Sequence, residues 1–558
     1  MMVDDKVRRE GVYQTPPGFA TMAHQYLVKA FGDDIYQIRT WFDPCVGDGS
    51  LIHNCPEGTR LFISDLEKPS DEIGLAGCFR SKLDFLNDGP FSREPLGNFF
   101  LPDWQWENGL GMMVGGSYEE AQANRLLIIM NPPFAQGSGG QYARDGEQSR
   151  SGLSKTLTGD EMRKAKLGLA TRNTACQFIY RAIHLSNLFL RDLILGVFSP
   201  AAIINGPGYG PFRDKCWFRG MSCKGGFCFN AKHFDNVNAD WPCLFTMWSW
   251  GRQEEPITLD IFPEDIPEGH SFLKKTFSVP SDPLSAHVMR PKATVVRPPM
   301  SGPLSIATGK ILVDRQSPDA LATIYADGND VQHSTSSCYI VSSSHPHTGS
   351  WSITPGNFEE SMVLFSIRRL VIPTWLNWRD QFATPKIDHP SCPQWSLDAI
   401  IWSLFEGKNQ TSSLGNMTYK GQVYDIPNHF FWMTPEEMMQ IDGLPRPIWQ
   451  QCRTAKPRFV ASWLKENEGD LCEDAQEVLR LGKDLVRLSA PHRMDALPKF
   501  QLDRWDSGFY QIRMGLFGKK DVPFQQSEEM TDIMDQFKIA HKALGDRLRP
   551  HLHTLGVL

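Results

Sequence analysis

Asn131-Pro132-Pro133-Phe134 places an amide, two prolines and an aromatic ring in four consecutive residues. Neither proline has a backbone N–H, and each restricts the residue before it, so the turn is stiff and its carbonyls are fixed in direction. The Asn131 side-chain oxygen and the Pro132 backbone carbonyl are two acceptors in that frame. Together they suit the two hydrogens of an aromatic amine, whose nitrogen lone pair they would draw out of the ring and aim at an electrophile. Phe134 would stack on the ring that carries the amine. The preceding residues, Leu126 to Met130, are all apolar and read as a strand buried on both faces, as inside a parallel sheet. A strand that merely ends in a proline turn has the same composition, so the tetrapeptide takes its meaning from the rest of the chain.

A second group of chemically capable residues is Asp43-Pro44-Cys45-Val46-Gly47-Asp48-Gly49. Residues 39–42 lead into it as a strand, and the turn is expected to open a helix, the first β-α unit of a nucleotide-binding domain. Gly47 and Gly49 allow close approach of the backbone to a ligand. A dinucleotide site expects a third glycine three residues after Gly49, where the chain has Ile52. An acid at the end of the first strand also repels pyrophosphate, which such sites hold at a helix N-terminus. The Asp43 carboxylate can instead bind a cationic ligand, of which S-adenosylmethionine is one. Residues 60–65 read as a second strand whose terminal Asp65 is placed to accept both hydroxyls of a ribose. Residues 81–86 read as a third, with Asp84 near an adenine amine and Phe85 against its ring. Tyr13-Gln14-Thr15-Pro16 precedes a helical pattern over 20–31, with Thr15 as N-cap and Pro16 at the first helical position.

Other residues carry less. Cys216, Cys223, Cys228, His233 and Cys243 include one Cys-x4-Cys spacing without a second tight pair of ligands, so buried free thiols are expected and no metal. Twelve cysteines without a repeating pattern fit a reducing compartment, and the cytoplasm is the expected location. The N-terminus has no signal-peptide pattern, and no apolar run approaches the roughly 20 residues that span a bilayer. A net charge of -7 is unusual for a chain that would bind nucleic acid. Between Lys155 and Lys224, however, 11 basic residues face only four acids, which gives either a positive face or a solvated helix surface.

These residues need elements to hold them. At 558 residues with 41% hydrophobic and 22% charged content, the chain is expected to form two or three soluble domains. Residues 87–124 form a long connection, either functional or an insertion. Residues 135–152, rich in glycine and serine with Arg144 and Arg150, read as a loop able to close over a substrate or as a plain surface loop. A helix over 173–190, a doubly buried strand over 193–200, and an antiparallel pair within 225–250 would complete a sheet near residue 252. Beyond it, residues 254–303 are proline-rich, and 304–380 mix strands with turns, among them segments beginning at Cys338 and Arg369. Trp375, Trp378 and Arg379 could stack on bases or belong to a core. Helices are expected over 395–405, 434–439, 473–488 and 527–549, the last with Ser527 as N-cap.

The order Tyr-x-Thr-Pro, Asp-Pro-x-x-Gly-x-Gly, strand-two Asp, strand-three Asp, Asn-Pro-Pro-Phe, then a large C-terminal region resembles the S-adenosylmethionine-dependent DNA adenine-N6 methyltransferases whose recognition region follows the catalytic domain. The resemblance covers residues 11–252. It implies an α/β fold with a Rossmann-like seven-stranded sheet over 1–252; by position alone, a mixed α/β target-recognition domain is expected over 253–420 and a mostly helical accessory region over 421–558. It further implies that Asn131, Pro132, Pro133 and Phe134 are catalytic. Tyr13, Thr15 and Pro16 would contact the methionine end of S-adenosylmethionine, and Asp43, Gly47, Gly49, Asp65, Asp84 and Phe85 would hold the rest. The implied substrate is an adenine flipped out of double-stranded DNA, with a restriction or defence-system partner possible. Cytosine N4, an RNA base or a protein glutamine would use the same acceptors, and a non-catalytic DNA-binding or assembly protein on the same core is the alternative from another class.

Overall fold

Short runs of apolar and β-branched residues, each ending in a polar residue, make the strands that carry the candidate site. The computed structural model describes residues 13–73, 78–88, 125–134, 155–189, 192–235, 237, 240–254, 256–266, 273–300, 304, 307, 313–386, 388–389, 391–518 and 526–558. The connection over 89–124 and the glycine- and serine-rich stretch over 135–152 lie outside them. The chain divides into two compact units, Met1–Val279 with Thr374–Asp380, and Pro280–Pro373 with Gln381–Leu558.

The first unit is built on one mixed sheet. Its strands are β1 (Thr40–Asp43), β2 (Leu61–Asp65), β3 (Phe79–Lys82), β4 (Leu126–Met130), β5 (Leu193–Pro200), β6 (Met221–Asn230), β7 (Pro242–Trp250), β8 (Ile257–Ile261) and β9 (Lys274–Phe277). Their spatial order is β3-β2-β1-β4-β5-β7-β6-β8-β9. Strands β1 to β5 pair in parallel, β7 runs antiparallel to both β5 and β6, and β6 and β8 pair in parallel. The sheet therefore has nine strands and not the expected seven, and it is not complete at residue 252. Ile257, Leu259 and Ile261 alternate inward along β8 while Thr258 is exposed, so this strand has an apolar face to bury and extends the sheet.

Alternation also assigns the two faces. Trp41, Ile63, Leu127 and Ile129 pack on one side with the helix Pro17–Phe31. Phe42, Phe62, Ile128 and Met130 pack on the other with the helix Thr174–Phe189. All of Leu126 to Met130 is buried, as expected of an interior parallel strand. At about 1.5–3 kcal/mol for each large aliphatic side chain removed from water, these two layers hold the strand tips rigidly.

Four local expectations differ from the structure. Residues 47–54 form successive turns and no helix, with Gly49, Ile52 and Cys55 each donating to the carbonyl three residues back. Pro56 follows too soon for a helix to propagate. The first helix starts at Pro17, with Pro16 as its cap. Strand β3 covers Phe79–Lys82 and leaves Asp84 and Phe85 in the turn after it. Arg369 and Leu370 close the helix Phe358–Leu370 instead of starting a strand.

The second unit has a large apolar core whose residues run from Leu284 to Val557, and a smaller cluster of Met300, Val341, Leu414 and Ile426. A three-stranded antiparallel sheet, Cys338–Val341, Ala322–Ala326 and Ser350–Ile353 in that spatial order, packs with the helices Phe358–Leu370, Cys392–Leu404, Glu473–Ser489 and Glu528–Leu548. Ser527 caps the last of these, its hydroxyl accepting from the Met530 N–H. Within the first unit, Trp375 belongs with the core and donates its indole N–H to the Asp265 carbonyl at 2.8 Å. Among the described residues no helix is long and apolar enough to cross a membrane.

Candidate active site

The tips of β1, β2 and β4 bring the three chemically capable groups to one end of the sheet. Asn131 follows the carboxyl end of β4 directly. Its side-chain N–H2 donates to the Tyr13 carbonyl at 2.8 Å and to the Thr15 hydroxyl at 2.9 Å. Both donors of the amide are thereby used, which fixes which end of the amide is oxygen. The Asn131 Oδ1 is buried and has no partner among the described residues. A buried acceptor left unmade costs about 1–3 kcal/mol, a reservoir associated with functional positions. Among the described residues no backbone N–H reaches the Pro132 carbonyl either. Thr15 thus holds Asn131 rather than capping a helix.

Phe134 sits in an aromatic enclosure. Its ring lies 5.9 Å from that of Tyr13, 5.8 Å from Phe234 and 6.2 Å from Trp241. Phe234 follows β6 and Trp241 precedes β7, and no motif in the sequence marks either as a site residue. The available signal is topological, because β6 is parallel to its distant neighbour β5 and its carboxyl end lies at the same end of the sheet. The turn bearing Phe234 is anchored by Asp265, whose buried carboxylate accepts from the Asn230 N–H at 2.7 Å, from His233 Nε2 at 2.9 Å and from the Lys232 ammonium at 3.3 Å. Residue 265 lies beyond 252, where no site residue was expected.

The glycine turn is tied to the same assembly. Gly47 has φ of +53° and Gly49 of +83°, conformations that other residues adopt at a cost. A Cβ on Gly47 would come within 3.0 Å of Gln14 Oε1, so the Tyr13-Gln14-Thr15 segment spans both the glycine turn and Asn131. The Gly47 N–H donates to Asp65 Oδ2 at 3.0 Å, and the Leu66 N–H to Asp65 Oδ1 at 2.7 Å. Asp43 is fully buried; one oxygen accepts from the Cys45 N–H at 3.0 Å, and the other has no partner among the described residues. Burial, with the Asp65 and Asp48 carboxylates nearby, pushes the Asp43 carboxyl up to about 7. Burial and the Asp43 and Asp65 charges also raise the Cys45 thiol, which lies beside the Asn131 backbone. A buried carboxylate with no cation paired to it among the described residues fits a ligand that carries positive charge.

Asp84 and Phe85 are placed differently. Asp84 accepts from the Leu86 N–H at 3.1 Å and from the Asn87 amide at 2.6 Å, which shapes the turn after β3. Phe85 is only 3% exposed and its ring packs against Phe42 and Phe178 at 5.8 and 5.4 Å. All twelve cysteines are free, Cys228 and Cys243 buried within strands.

No protein-family model matches the chain, and no curated protein matches it. Among solved structures, the DrdV–DNA complex is 14% identical with a TM-score of 0.30, over 47% of this chain and 29% of that one. A type I restriction-modification system methyltransferase subunit from Streptococcus thermophilus is 16% identical with a TM-score of 0.27, over 48% and 50%. The type IIL restriction-modification enzyme MmeI, in complex with DNA, is 10% identical with a TM-score of 0.31, over 98% and 80%. The chain thus spans half or less of the length of the first two. Likenesses this distant carry no argument about what this chain does.

Proposed function

We propose that the chain is an S-adenosylmethionine-dependent methyltransferase that modifies the N6 amine of adenine within a specific sequence of double-stranded DNA. One observation carries the reading: the Asn131 amide is clamped through its nitrogen by Tyr13 and Thr15, while its buried oxygen has no partner among the described residues. An acceptor held at that cost awaits a donor. An exocyclic amine supplies one hydrogen to Asn131 Oδ1 and the other to the Pro132 carbonyl, which rehybridises the nitrogen and frees its lone pair. Phe134 stacks on the base, and positioning supplies most of the rate. Extruding the base from a duplex costs a few kcal/mol.

Asp43, Gly47, Gly49 and Asp65, with Tyr13, Thr15 and Pro16, are the residues that would hold the methyl donor. The unpartnered Asp43 oxygen fits a cationic group, and Asp65, at the tip of β2, fits a ribose. Asp84 and Phe85 enter this reading by their place after β3 and not by an exposed ring. S-adenosylmethionine, when bound, supplies a methyl group on a sulfonium; no metal takes part. The recognition role of 253–420, the accessory role of 421–558 and a restriction or defence-system partner belong to the same proposal.

The test is direct. The protein is incubated with labelled S-adenosylmethionine and duplex DNA, the DNA is digested to nucleosides, and the labelled base is identified. Label in N6-methyl-2′-deoxyadenosine is the expected result. Label in N4-methyl-2′-deoxycytidine, or label incorporated only when RNA or protein is offered in place of DNA, would move the reading to another amine, and donor binding without transfer to any of them would point to a non-catalytic protein.

A further inference from the structure

The basic run between Lys155 and Lys224 sorts into groups once its partners are known. Lys155, Arg163 and Lys164 are paired with Asp160 and Glu161. Arg181 and Arg213 are buried and donate to backbone carbonyls. Five described cations, Lys166, Arg172, Lys215, Arg219 and Lys224, have no carboxylate partner among the described residues. Arg219 and Lys224 flank the start of β6, at the end of the sheet away from Asn131. Lys166, Arg172 and Lys215 remain.

These three stand on two segments that lock together. Residues 166–172 precede the helix Thr174–Phe189, which returns the chain to the start of β5, so this turn lies at the carboxyl end of the parallel strands, where Asn131 is. Residues 201–217 leave the carboxyl end of β5. A Cβ on Gly208 would collide with the Leu169 side chain, and one on Gly168 would come within 2.9 Å of the Gly208 carbonyl, so the two segments are in close contact. The Asn173 amide and Tyr209 hydroxyl, both buried, meet at 3.5 Å, and the Lys215 ammonium donates to the Lys166 carbonyl at 3.4 Å. Lys166 itself is exposed with φ of +56°, a left-handed conformation that glycine or asparagine adopts more cheaply. A lysine in that conformation, with no acid paired to it among the described residues, points to use of its side chain.

We propose that Lys166, Arg172 and Lys215 form a preorganised anchor for the phosphate backbone of duplex DNA beside the target base. The inference rests on the function proposed above. The anchor holds phosphates and reads no bases, so it sets affinity and register without sequence preference. It also shows how a chain of net charge -7 can hold a polyanion: the cations that matter are the few that are unpaired and held together.

The experiment measures binding of the whole protein to a labelled duplex across a salt series, for wild type, Lys166→Gln, Arg172→Gln and Lys215→Gln. Each substitution should flatten the slope of log K against log[salt] by about 0.9, the signature of one lost phosphate contact on duplex DNA. Affinity for S-adenosylmethionine and the identity of the methylated base should not change. Lys166→Gly separates charge from backbone strain, since glycine suits the left-handed angle; it should flatten the slope equally while the thermal midpoint holds or rises. Wild-type slopes in all variants would overturn the anchor while leaving the methyltransferase reading intact. Flattening by about 0.7 per residue, with single-stranded RNA preferred over duplex, would reassign the anchor to RNA. A wild type that methylates a protein amide and ignores nucleic acid would remove both readings together.

Discussion

At the residue scale, Asp43 and Phe134 carry the most exposed consequences. The Asp43 carboxyl is pushed up to about 7 in the folded protein, against about 4 in an unfolded chain. The folded state therefore holds a proton that the unfolded state has released between those values. Stability from this group is present in full below about pH 4 and is lost as the pH rises to about 7. Asp43→Asn should flatten that dependence and raise the thermal midpoint of the free protein at pH 8, while weakening S-adenosylmethionine binding. Parallel melting curves for wild type and variant between pH 4 and 8 would remove the assignment. Phe134→Ala should lose roughly 1–3 kcal/mol of base stacking, and Phe134→Trp should keep much of it. The loss should shrink on duplexes whose target base is mismatched, because extrusion is then cheaper. Equal losses on paired and mismatched substrates would mean that Phe134 only shapes the aromatic enclosure it shares with Tyr13, Phe234 and Trp241.

Elements matter because the site is assembled from strand tips and their turns. The turn after β6 presents Phe234 only while Asp265 receives Asn230, His233 and Lys232. Asp265→Ala leaves a buried backbone N–H and a ring nitrogen without their acceptor, which costs about 1–3 kcal/mol. It should weaken the base-binding side and spare the donor side, since Gly47 and Asp65 belong to other turns. The measurement is a comparison of DNA and S-adenosylmethionine affinities in a variant shown to melt cooperatively. A variant with both affinities intact would reduce Asp265 to a structural role. Clear apolar periodicity made most elements legible in the sequence: β4 and β5 stand as expected, and so does the Ser527-capped helix. Where a turn fixed the outcome the reading slipped, as at residues 47–54, because six residues between Gly49 and Pro56 leave no room to propagate a helix.

For the whole molecule, the position of residue 252 is decisive. A chain ending there would lack β8, β9, Asp265 and the Thr374–Asp380 segment that packs with the first unit. Ile257, Leu259, Ile261, Phe277 and Leu376 are all buried in its core. Losing that burial, at about 1.5–3 kcal/mol for each large side chain, is comparable to the whole 5–15 kcal/mol by which domains are usually stable. Truncation at 252 should therefore yield a product without a cooperative melt and without donor-dependent stabilisation. A folded, donor-binding fragment of that length would show the last two strands to be dispensable.

Sequence alone determined the order of strands and turns through β5, the acids at the tips of β1 and β2, and the stiff acceptor turn after β4. Those features are local: alternation, proline stereochemistry and glycine turns act within a few residues, so a single chain displays them. Tertiary structure decided which atom of Asn131 is free, because its clamps, Tyr13 and Thr15, lie 118 and 116 positions away. It also decided that Phe85 packs in the core, that Phe234 and Trp241 enclose Phe134, and that nine strands are needed where seven were expected. Each is a pairing between distant segments, and the energy that selects it comes from burial that no local pattern encodes. The same holds for the charges. Eleven cations in the run from Lys155 to Lys224 are visible in the sequence, but only folded neighbours show which of them have already found a carboxylate or a carbonyl and which remain for a partner.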